Sequence, residues 1–312
     1  MRQKNIMAVL LAVLCLALGI LAGNMILLYR NIYRIPETAV EDLCRVLAED
    51  GIRLEESLVP RVREDGMIYM SDGVGYTENA ALLLAESGIK STYVIPDGQL
   101  FLHYNGDMTE FSDGFGFHYR RAGLEADRRI VNEQGEMTSY DTLTAGLPEL
   151  SGTGTAAQAA MAFLNKQDGS LGASVRIETV IASVHGEDDG QAYVRCLRKI
   201  DGVEITENAV ICLVQNGVVT EAAGKWCFMT FGESYMAQLS DITNILFMMK
   251  RTLAGTDGCR VLGLERCYSL YFLAEDEGFC LIPCWRVETD TVGELVYSAL
   301  DGTLYTKMEE IT

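Results

Sequence analysis

The stretch FCLIPCWRVETDTVGELVYSALDGTLY, residues 279–305, carries the pattern that decides the fold class. Its first half alternates between two sets of side chains, as successive residues of a β-strand do. Its second half places Asp301 and Gly302 between LVYSAL and TLYT. Because an Asp-Gly pair readily takes the positive φ of a tight turn, this half predicts a β-hairpin. The stretch therefore predicts antiparallel strands.

Two cysteines of this stretch, Cys280 and Cys284, are four residues apart. On a strand they point the same way and lie about 13 Å apart, too far to bridge to each other or to share a metal ion. We interpret the pair as part of the protein's core. The chain has nine cysteines, and two interpretations of the set stay open: small buried thiols, or one or two disulfides in an exported domain.

Residues 6–29 form an apolar run of 24 residues without a charge. As a helix this run is roughly 36 Å long, which predicts a transmembrane helix. Arg2 and Lys4 precede the run and the acidic residues follow it, so we expect a cytoplasmic N-terminus and an extracellular C-terminal domain in the cell membrane. A cleaved signal peptide is the alternative, because Ala17 and Gly19 form a small-x-small pair. The run continues well past that pair, which favours a retained anchor.

One face of this predicted helix holds small residues. Gly19 and Gly23 form a small-xxx-small pair of the kind that lets two membrane helices approach closely. Chance alignment is the alternative, because Ala and Gly are common in membrane helices. At 100° per residue the small side chains fall within an arc of about 80°, and this predicted helix-packing face comprises Ala8, Ala12, Cys15, Gly19 and Gly23.

The charge of the chain excludes one class of function. It has 44 acidic and 25 basic residues, and its formal net charge is −19. A domain this acidic is soluble and repels anionic lipid and nucleic acid. The sequence therefore excludes a nucleic-acid partner.

A small, turn-rich stretch at residues 144–158 predicts a boundary between two lobes. Within it, Gly152–Ala157 is similar to a dinucleotide-binding turn, but no apolar strand precedes it, so we interpret Thr155 as a helix cap instead. Asp201-Gly202 and Asn216-Gly217 predict hairpin turns between strands. The pattern further predicts a helix near 241–251 and strands at 279–290 and 293–300. Helix-plus-four-strand patterns at 155–229 and 235–307 are consistent with an internal repeat. The predicted organisation is a cytoplasmic tail at 1–5, a transmembrane helix at 6–29, a first α+β lobe at 30–150 and a second α+β lobe at 151–312.

The sequence shows no pattern typical of a catalytic or metal site. Its three histidines, His103, His118 and His185, have no metal-ligand spacing. There is no Gly-x-Ser-x-Gly elbow and no phosphate-binding loop. We therefore expect a protein that is not an enzyme, with no catalytic residues, no metal and no cofactor.

Four stretches together resemble the YycI family, and more loosely its YycH relatives. They are NMILLYRN at 24–31, AVEDLCRVLAEDGIRLEESLVP at 39–60, DGVEITENAVICLVQNGVVTEAAGKW at 201–226, and the end of the chain from residue 281. That last stretch is similar to the family's Pro-x-Trp strand and following hairpin. The residues that match this family-like motif are Pro283, Trp285, Tyr297, Ala299 and Gly302.

The resemblance implies a non-enzymatic, membrane-anchored extracytoplasmic regulator of a WalK-type sensor histidine kinase. Proteins of this family belong to two-component systems that control cell-wall homeostasis in Gram-positive bacteria. The implied fold is a two-lobed α+β domain, and the implied partners are the membrane kinase and a YycH-like second regulator. The resemblance implies no catalytic residues. The alternative is an exported binding module for cell-wall polymer or a peptidase, and an exported hydrolase is a third hypothesis.

Overall fold

A computed structural model describes the chain in segments: residues 14–25, 34–62, 65–71, 91–94, 100–104, 107–112, 116–121, 129–132, 135–167, 177–186, 190–226, 231–256, 258–272 and 279–305.

Helices make up a minor part of the described chain. Pro36 precedes α2, where its fixed φ suits a helix start. Asp241 caps α5 by accepting the Thr243 N–H at 3.1 Å. The α-helices are α1 at residues 14–25, α2 at Glu37–Glu49, α3 at Tyr140–Thr144, α4 at Thr155–Gln167 and α5 at Ile242–Thr252, and a 3-10 helix lies at Glu56–Leu58.

Fourteen described strands belong to one sheet. Their bounds are β1 Gly66–Ser71, β2 Ser91–Val94, β3 Leu100–Tyr104, β4 Asp107–Ser112, β5 Gly116–Arg120, β6 Ile177–Gly186, β7 Gln191–Ile200, β8 Val203–Gln215, β9 Val218–Lys225, β10 Phe231–Ala237, β11 Val261–Phe272, β12 Phe279–Thr289, β13 Gly293–Ser298 and β14 Leu304–Tyr305. The main order is β10-β1-β12-β11-β8-β9-β5-β4-β3-β2. The remaining pairs are β6 with β7, β7 with β8, β12 with β13 and β13 with β14.

Two-residue turns join the central strands. Asp201 and Gly202 have φ of 50° and 80° between β7 and β8, and Asn216 and Gly217 have φ of 51° and 74° between β8 and β9. Positive φ at both residues is the signature of the hairpin turns that match the twist of the flanking strands. These turns fix β7, β8 and β9 as consecutive antiparallel neighbours, and β6 pairs antiparallel with β7.

The sheet corrects the predicted fold class. We expected α+β lobes with antiparallel sheets and packed helices, and this expectation is wrong: the described chain is mostly one large mixed sheet with few helices. The mixed character comes from β11, which pairs in parallel with β8 and places Cys267 opposite Glu204. Turn residues specify only pairs that are adjacent in sequence, so a parallel pair between distant segments left no signal.

The predicted transmembrane helix is also wrong. Among the described residues, no helix is both long enough and apolar enough to cross a membrane. Residues 6–13 and 26–29 of the predicted helix lie outside the described segments.

The chain divides into two compact units that interleave along the sequence. The first holds the described residues up to Gly66 with Ala237–Glu265 and Trp285–Tyr305. Its core is one apolar cluster built from α2, α5 and the strands β11 to β13, with Leu47, Ile245 and Tyr297 fully buried in it. The apolar face of each helix is therefore directed into the core of this unit.

The second unit holds the described residues of Met67–Met236 and Arg266–Cys284. Helix α4 covers one face of its sheet and forms a cluster with Val194, Cys212 and Trp226. A separate cluster on these strands includes Ile130 and Tyr193. This part of the sheet is therefore covered on both faces, which explains why its strands read as nearly continuous apolar runs.

Candidate functional site

Helix α1 presents the described part of the predicted helix-packing face. Cys15, Gly19 and Gly23 are exposed on it, whereas Ala8 and Ala12 lie outside the described residues. Apart from the neighbouring backbone of α1 itself, no heavy atom of the described chain lies within 4 Å of the Cβ positions of Gly19 and Gly23. The small-residue face is therefore uncovered in the described structure.

The rest of α1 is apolar and exposed as well. The helix contains no charged residue, and its large apolar side chains are 57% to 68% exposed. A helix on the surface of a soluble protein normally directs one apolar face to the core and a polar face to water. α1 has no such polar face, and an exposed apolar surface of this kind is typical of an interaction site. The exposed apolar residues are Leu14, Leu16, Leu18, Ile20, Leu21 and Met25.

The two glycines are unfavourable for an isolated helix. Each costs about 0.5–1 kcal/mol relative to alanine in a helix interior. Gly19 and Gly23 lie four residues apart and hence on one side of α1. Close packing of a second helix against that side offsets such a cost, because the missing side chains let two backbones approach.

The family-like residues form core rather than surface. Trp285, Tyr297 and Ala299 belong to the same apolar cluster of the first unit, and Pro283 is buried in β12. Burial raises the pKa of the Tyr297 hydroxyl. These side chains have no solvent-facing group to bind a partner, so their contribution is to the stability of the unit.

Gly302 is the backbone element of this motif. Its φ is 80°, in the left-handed region that favours glycine. A Cβ at this position would lie 3.2 Å from Met248 Cγ and 3.5 Å from Ile245 Cδ1, both on α5. The hairpin turn therefore packs directly on α5, and a side chain would separate them.

A cleft at the start of α4 is a second candidate site, which the sequence did not predict. Its volume is about 410 Å³. Ser151, Gly154 and Thr155 from the turn before α4 line it together with Asn216 and Gly217 of the β8-β9 turn. The sequence feature that marks this cleft is the small, turn-rich stretch at residues 144–158, which we interpret from the sequence as a lobe boundary. α4 begins at Thr155, and the cleft is of a size that can hold a small molecule.

A buried carboxylate, Glu221, organises the opposite face of the same strands. Glu221 is 3% exposed. It accepts the N–H groups of Ile130 at 3.0 Å and Val131 at 3.2 Å, and His118 Nε2 lies 3.1 Å from its Oε1. Burial raises the pKa of Glu221, but the hydrogen bonds from His118, Ile130 and Val131 outweigh it and hold the pKa below its ordinary value.

Glu221 connects a loop to the sheet. Ile130 and Val131 lie outside the named strands, and their N–H groups find their acceptors on this one carboxylate. In the sequence, Glu221 is one polar residue of a strand and gave no signal of this role. With two backbone donors and a histidine as partners, Glu221 anchors the loop to the sheet. A substrate would have to displace these partners before it could contact the carboxylate.

The described residues were compared with the arrangements that bind metal ions. No group of three or more His, Cys, Asp and Glu side chains in these segments is placed to hold a metal ion. His118 is engaged with Glu221, and His185 Nδ1 lies 3.1 Å from the Tyr140 hydroxyl. His103 lies on β3. The histidines considered from the sequence are thus distributed over separate strands.

Comparisons with known proteins place the chain in no characterised group. No family model matches it, and no curated protein matches it. Among solved structures, the crystal structure of an uncharacterized protein from Eubacterium rectale is similar, with a TM-score of 0.48 and 11% identity, over 78% of this chain and 86% of that chain. At this TM-score and identity, the likeness supports no conclusion about function.

Proposed function

We propose that this chain is a non-enzymatic regulator that binds a membrane sensor histidine kinase of the WalK type through helix α1. The observation that carries the proposal is the exposed, uncharged surface of α1 with its uncovered glycine face. The resemblance of the sequence to the YycI family supplies the class of partner. The proposed location is the extracytoplasmic face of the cell membrane.

The energetics favour an apolar partner for α1. Full burial of one Leu or Ile side chain contributes about 1.5–3 kcal/mol in water, and α1 exposes several of them. Close contact between two helices adds van der Waals attraction to that contribution. The face of Cys15, Gly19 and Gly23 is the side of α1 where a second helix can approach most closely.

Co-purification from membranes tests this contact. The double variant Gly19→Ile/Gly23→Ile fills the small-residue face, and we expect it to reduce co-purification of the kinase at least tenfold. The matched control is Leu14→Ile/Leu21→Ile, which keeps the apolar character and lies off that face. We expect the control to retain the kinase. Full retention by the glycine variant, with unchanged recovery in the membrane fraction, would remove α1 from the contact.

The cleft at α4 favours the alternative, an exported binding module for cell-wall polymer. Its walls combine the polar Ser151, Thr155 and Asn216 with the apolar Val184 and Val214, as ligand pockets commonly do. Sedimentation with purified peptidoglycan tests this function. Binding that is lost when Gly154→Trp fills the cleft, and kept in the control Thr153→Ser, would support the module; no sedimentation of the wild-type chain would eliminate it.

A further inference from the structure

A pair of buried cysteines on neighbouring strands forms a second feature of interest. Cys267 lies on β11 and Cys284 on β12, and their side chains are 1% and 0% exposed. All eight cysteines in the described segments are thiols in this structure. β11 and β12 are adjacent in the sheet, so the register of the two strands decides which cysteines can meet.

Contacts at one end of the two strands set this register. A Cβ at Gly263 would lie 3.6 Å from the Cβ of Glu288. This is closer than the roughly 4.5–5.5 Å of a usual opposite pair, so the two residues face each other across the ladder. Two residues further along, Arg286 Nη2 donates to Glu265 Oε2 at 3.0 Å. Counting two more residues along β11 and two back along β12 brings Cys267 opposite Cys284.

The buried side chains agree with a register that continues past the cysteines. Leu264 and Val287 share one apolar cluster, and Leu270 and Leu281 share another. Both pairs are opposite in the same register, and they lie on either side of the cysteines. A single-residue bulge between them would turn one strand's side chains to the other face, and neither strand shows that change.

The spacing also identifies the kind of pair. The close approach at Gly263 and Glu288 is typical of the non-hydrogen-bonded pairs of an antiparallel ladder, whose Cα atoms lie about 4.5 Å apart. Pairs of this type recur every second residue, so Cys267 and Cys284 form one of them. A disulfide requires Cα atoms about 4.4–6.8 Å apart and Cβ atoms about 3.5–4.5 Å apart. A non-hydrogen-bonded pair falls within these limits.

We propose that Cys267 and Cys284 are an oxidation site at which an intrachain cross-strand disulfide forms. The oxidant is a small organic disulfide or the disulfide of a thiol oxidoreductase. One cysteine thiolate attacks it, forms a mixed disulfide and releases one thiolate; the second cysteine thiolate then attacks the mixed disulfide and expels the other. Two cysteine thiols are oxidised, one disulfide is reduced to two thiols, and the protons pass to those leaving thiolates.

Other cysteines provide internal controls. Cys196 lies opposite Val210, and Cys212 lies opposite Val194, so these two cysteines are diagonal neighbours about 7–8 Å apart, beyond the usual Cα separation of a disulfide. Contact with Cys196 together with burial holds the pKa of the Cys212 thiol above its ordinary value. A high pKa keeps this thiol protonated and slow to exchange. We expect the diagonal pair to stay reduced.

Cys280 is the second control. It lies on β12, four residues from Cys284, and faces Met70 of β1 across the ladder. Burial raises the pKa of its thiol. Residues four apart on a strand are about 13 Å apart, so Cys280 cannot replace Cys267 as the partner of Cys284 without a break in β12. The proposed pair of Cys267 and Cys284 does not depend on the contact proposed for α1.

Peptide mapping of the refolded chain tests the site. The full chain is reduced, unfolded and refolded in mild detergent with a mixture of reduced and oxidised glutathione, so that burial does not exclude the oxidant. Remaining thiols are alkylated before digestion and mass spectrometry. We expect a linked peptide that contains Cys267 and Cys284, with Cys196, Cys212 and Cys280 alkylated. Alkylation of Cys267 and Cys284 in a chain with native circular dichroism, or linkage to any other cysteine, would overturn the proposal.

Variants extend the test to stability. A disulfide that closes a loop of this length contributes about 3 kcal/mol. At about 2–4 °C per kcal/mol for a unit of this size, we expect oxidised wild-type protein to melt about 6–12 °C above the reduced form. Cys280→Ala keeps that difference between the two forms, and Cys267→Ala abolishes it. An equal difference in both variants would contradict the assignment. Because the mapping uses the wild-type chain, it remains decisive if Cys267→Ala does not fold.

Discussion

Replacing Glu221 with glutamine tests how the second unit holds its loop. The two N–H groups of Ile130 and Val131 point to different oxygens of this carboxylate. Glutamine has one carbonyl oxygen, so Glu221→Gln leaves one buried N–H facing an amide N–H₂. A buried unsatisfied donor costs about 1–3 kcal/mol, and hydrogen bonds to a charged group contribute more than neutral ones. We expect a loss of about 2 kcal/mol in the free energy of unfolding.

The chain's two tryptophans allow each unit to be followed separately. Trp226 lies in a cluster of the second unit and Trp285 in the cluster of the first. In a Trp285→Phe background, urea unfolding followed by Trp226 fluorescence reports the second unit. Glu149→Gln is the matched control, because Glu149 is exposed and such surface changes stay within about 0.5 kcal/mol.

The pH dependence gives this prediction its sign. The pKa of Glu221 is lower in the folded chain than its ordinary value, so its charged form stabilises the fold above the unfolded-state pKa of about 4.3. That contribution is lost as the pH falls through the folded-state pKa. The difference between wild type and Glu221→Gln should therefore be constant above about pH 5 and shrink below pH 4. A difference that grows on acidification, or no difference at pH 7, would refute the role of Glu221 as an anchor.

Two further substitutions test the first unit through Trp285 fluorescence. Gly302→Ala should lower the free energy of unfolding by about 1–3 kcal/mol more than Gly293→Ala: both glycines have φ of 80°, but only Gly302 would bring a Cβ to 3.2 Å from Met248. Equal losses in urea titrations would show that the contact with α5 is unimportant. Leu246→Ala removes a fully buried side chain of α5 and should lower the free energy of unfolding by about 2–5 kcal/mol. The control Phe247→Ala changes a position that is 47% exposed and should lower it by less than about 1 kcal/mol. Similar losses in the two variants would contradict the described core.

Local features of the fold were predictable from the sequence. The pattern predicts strands at 279–290 and 293–300 and a helix near 241–251, and the structure has β12 at Phe279–Thr289, β13 at Gly293–Ser298 and α5 at Ile242–Thr252. The predicted turns at Asn216 and Gly217 and at Asp201 and Gly202 are present with positive φ. These signals are carried by residues close together in the chain, which is why they could be read.

Long-range features were not predictable. The parallel pair of β8 and β11 joins residues such as Ile205 and Tyr268, and no local pattern encodes their approach. β10 was also missed, because only its first residue, Phe231, is buried and Tyr235 and Met236 are exposed. An edge strand of this kind lacks the alternation that identifies a half-buried strand. Glu221 could not be recognised as the acceptor for Ile130 and Val131, because these residues lie far from it in the sequence.

The predicted transmembrane helix shows a different limit. Apolar composition identified the segment, and α1 is indeed uncharged and exposed. Composition alone does not show that a helix crosses a membrane, and among the described residues no helix is long and apolar enough to do so. The proposed pairing of Cys267 and Cys284 could not be predicted either, because it depends on the register of two strands and not on the order of the residues in the sequence.

Photocrosslinking from α1 tests the proposed function most directly. A photoreactive amino acid replaces Cys15, on the small-residue face, or Leu21, on the opposite side of α1. The full chain is then irradiated in membranes that contain the kinase, and the crosslinked products are identified by mass spectrometry. The account predicts a crosslink to the sensor kinase from position 15 and little or none from position 21. No kinase crosslink from either position, or equal yields from both, would contradict it.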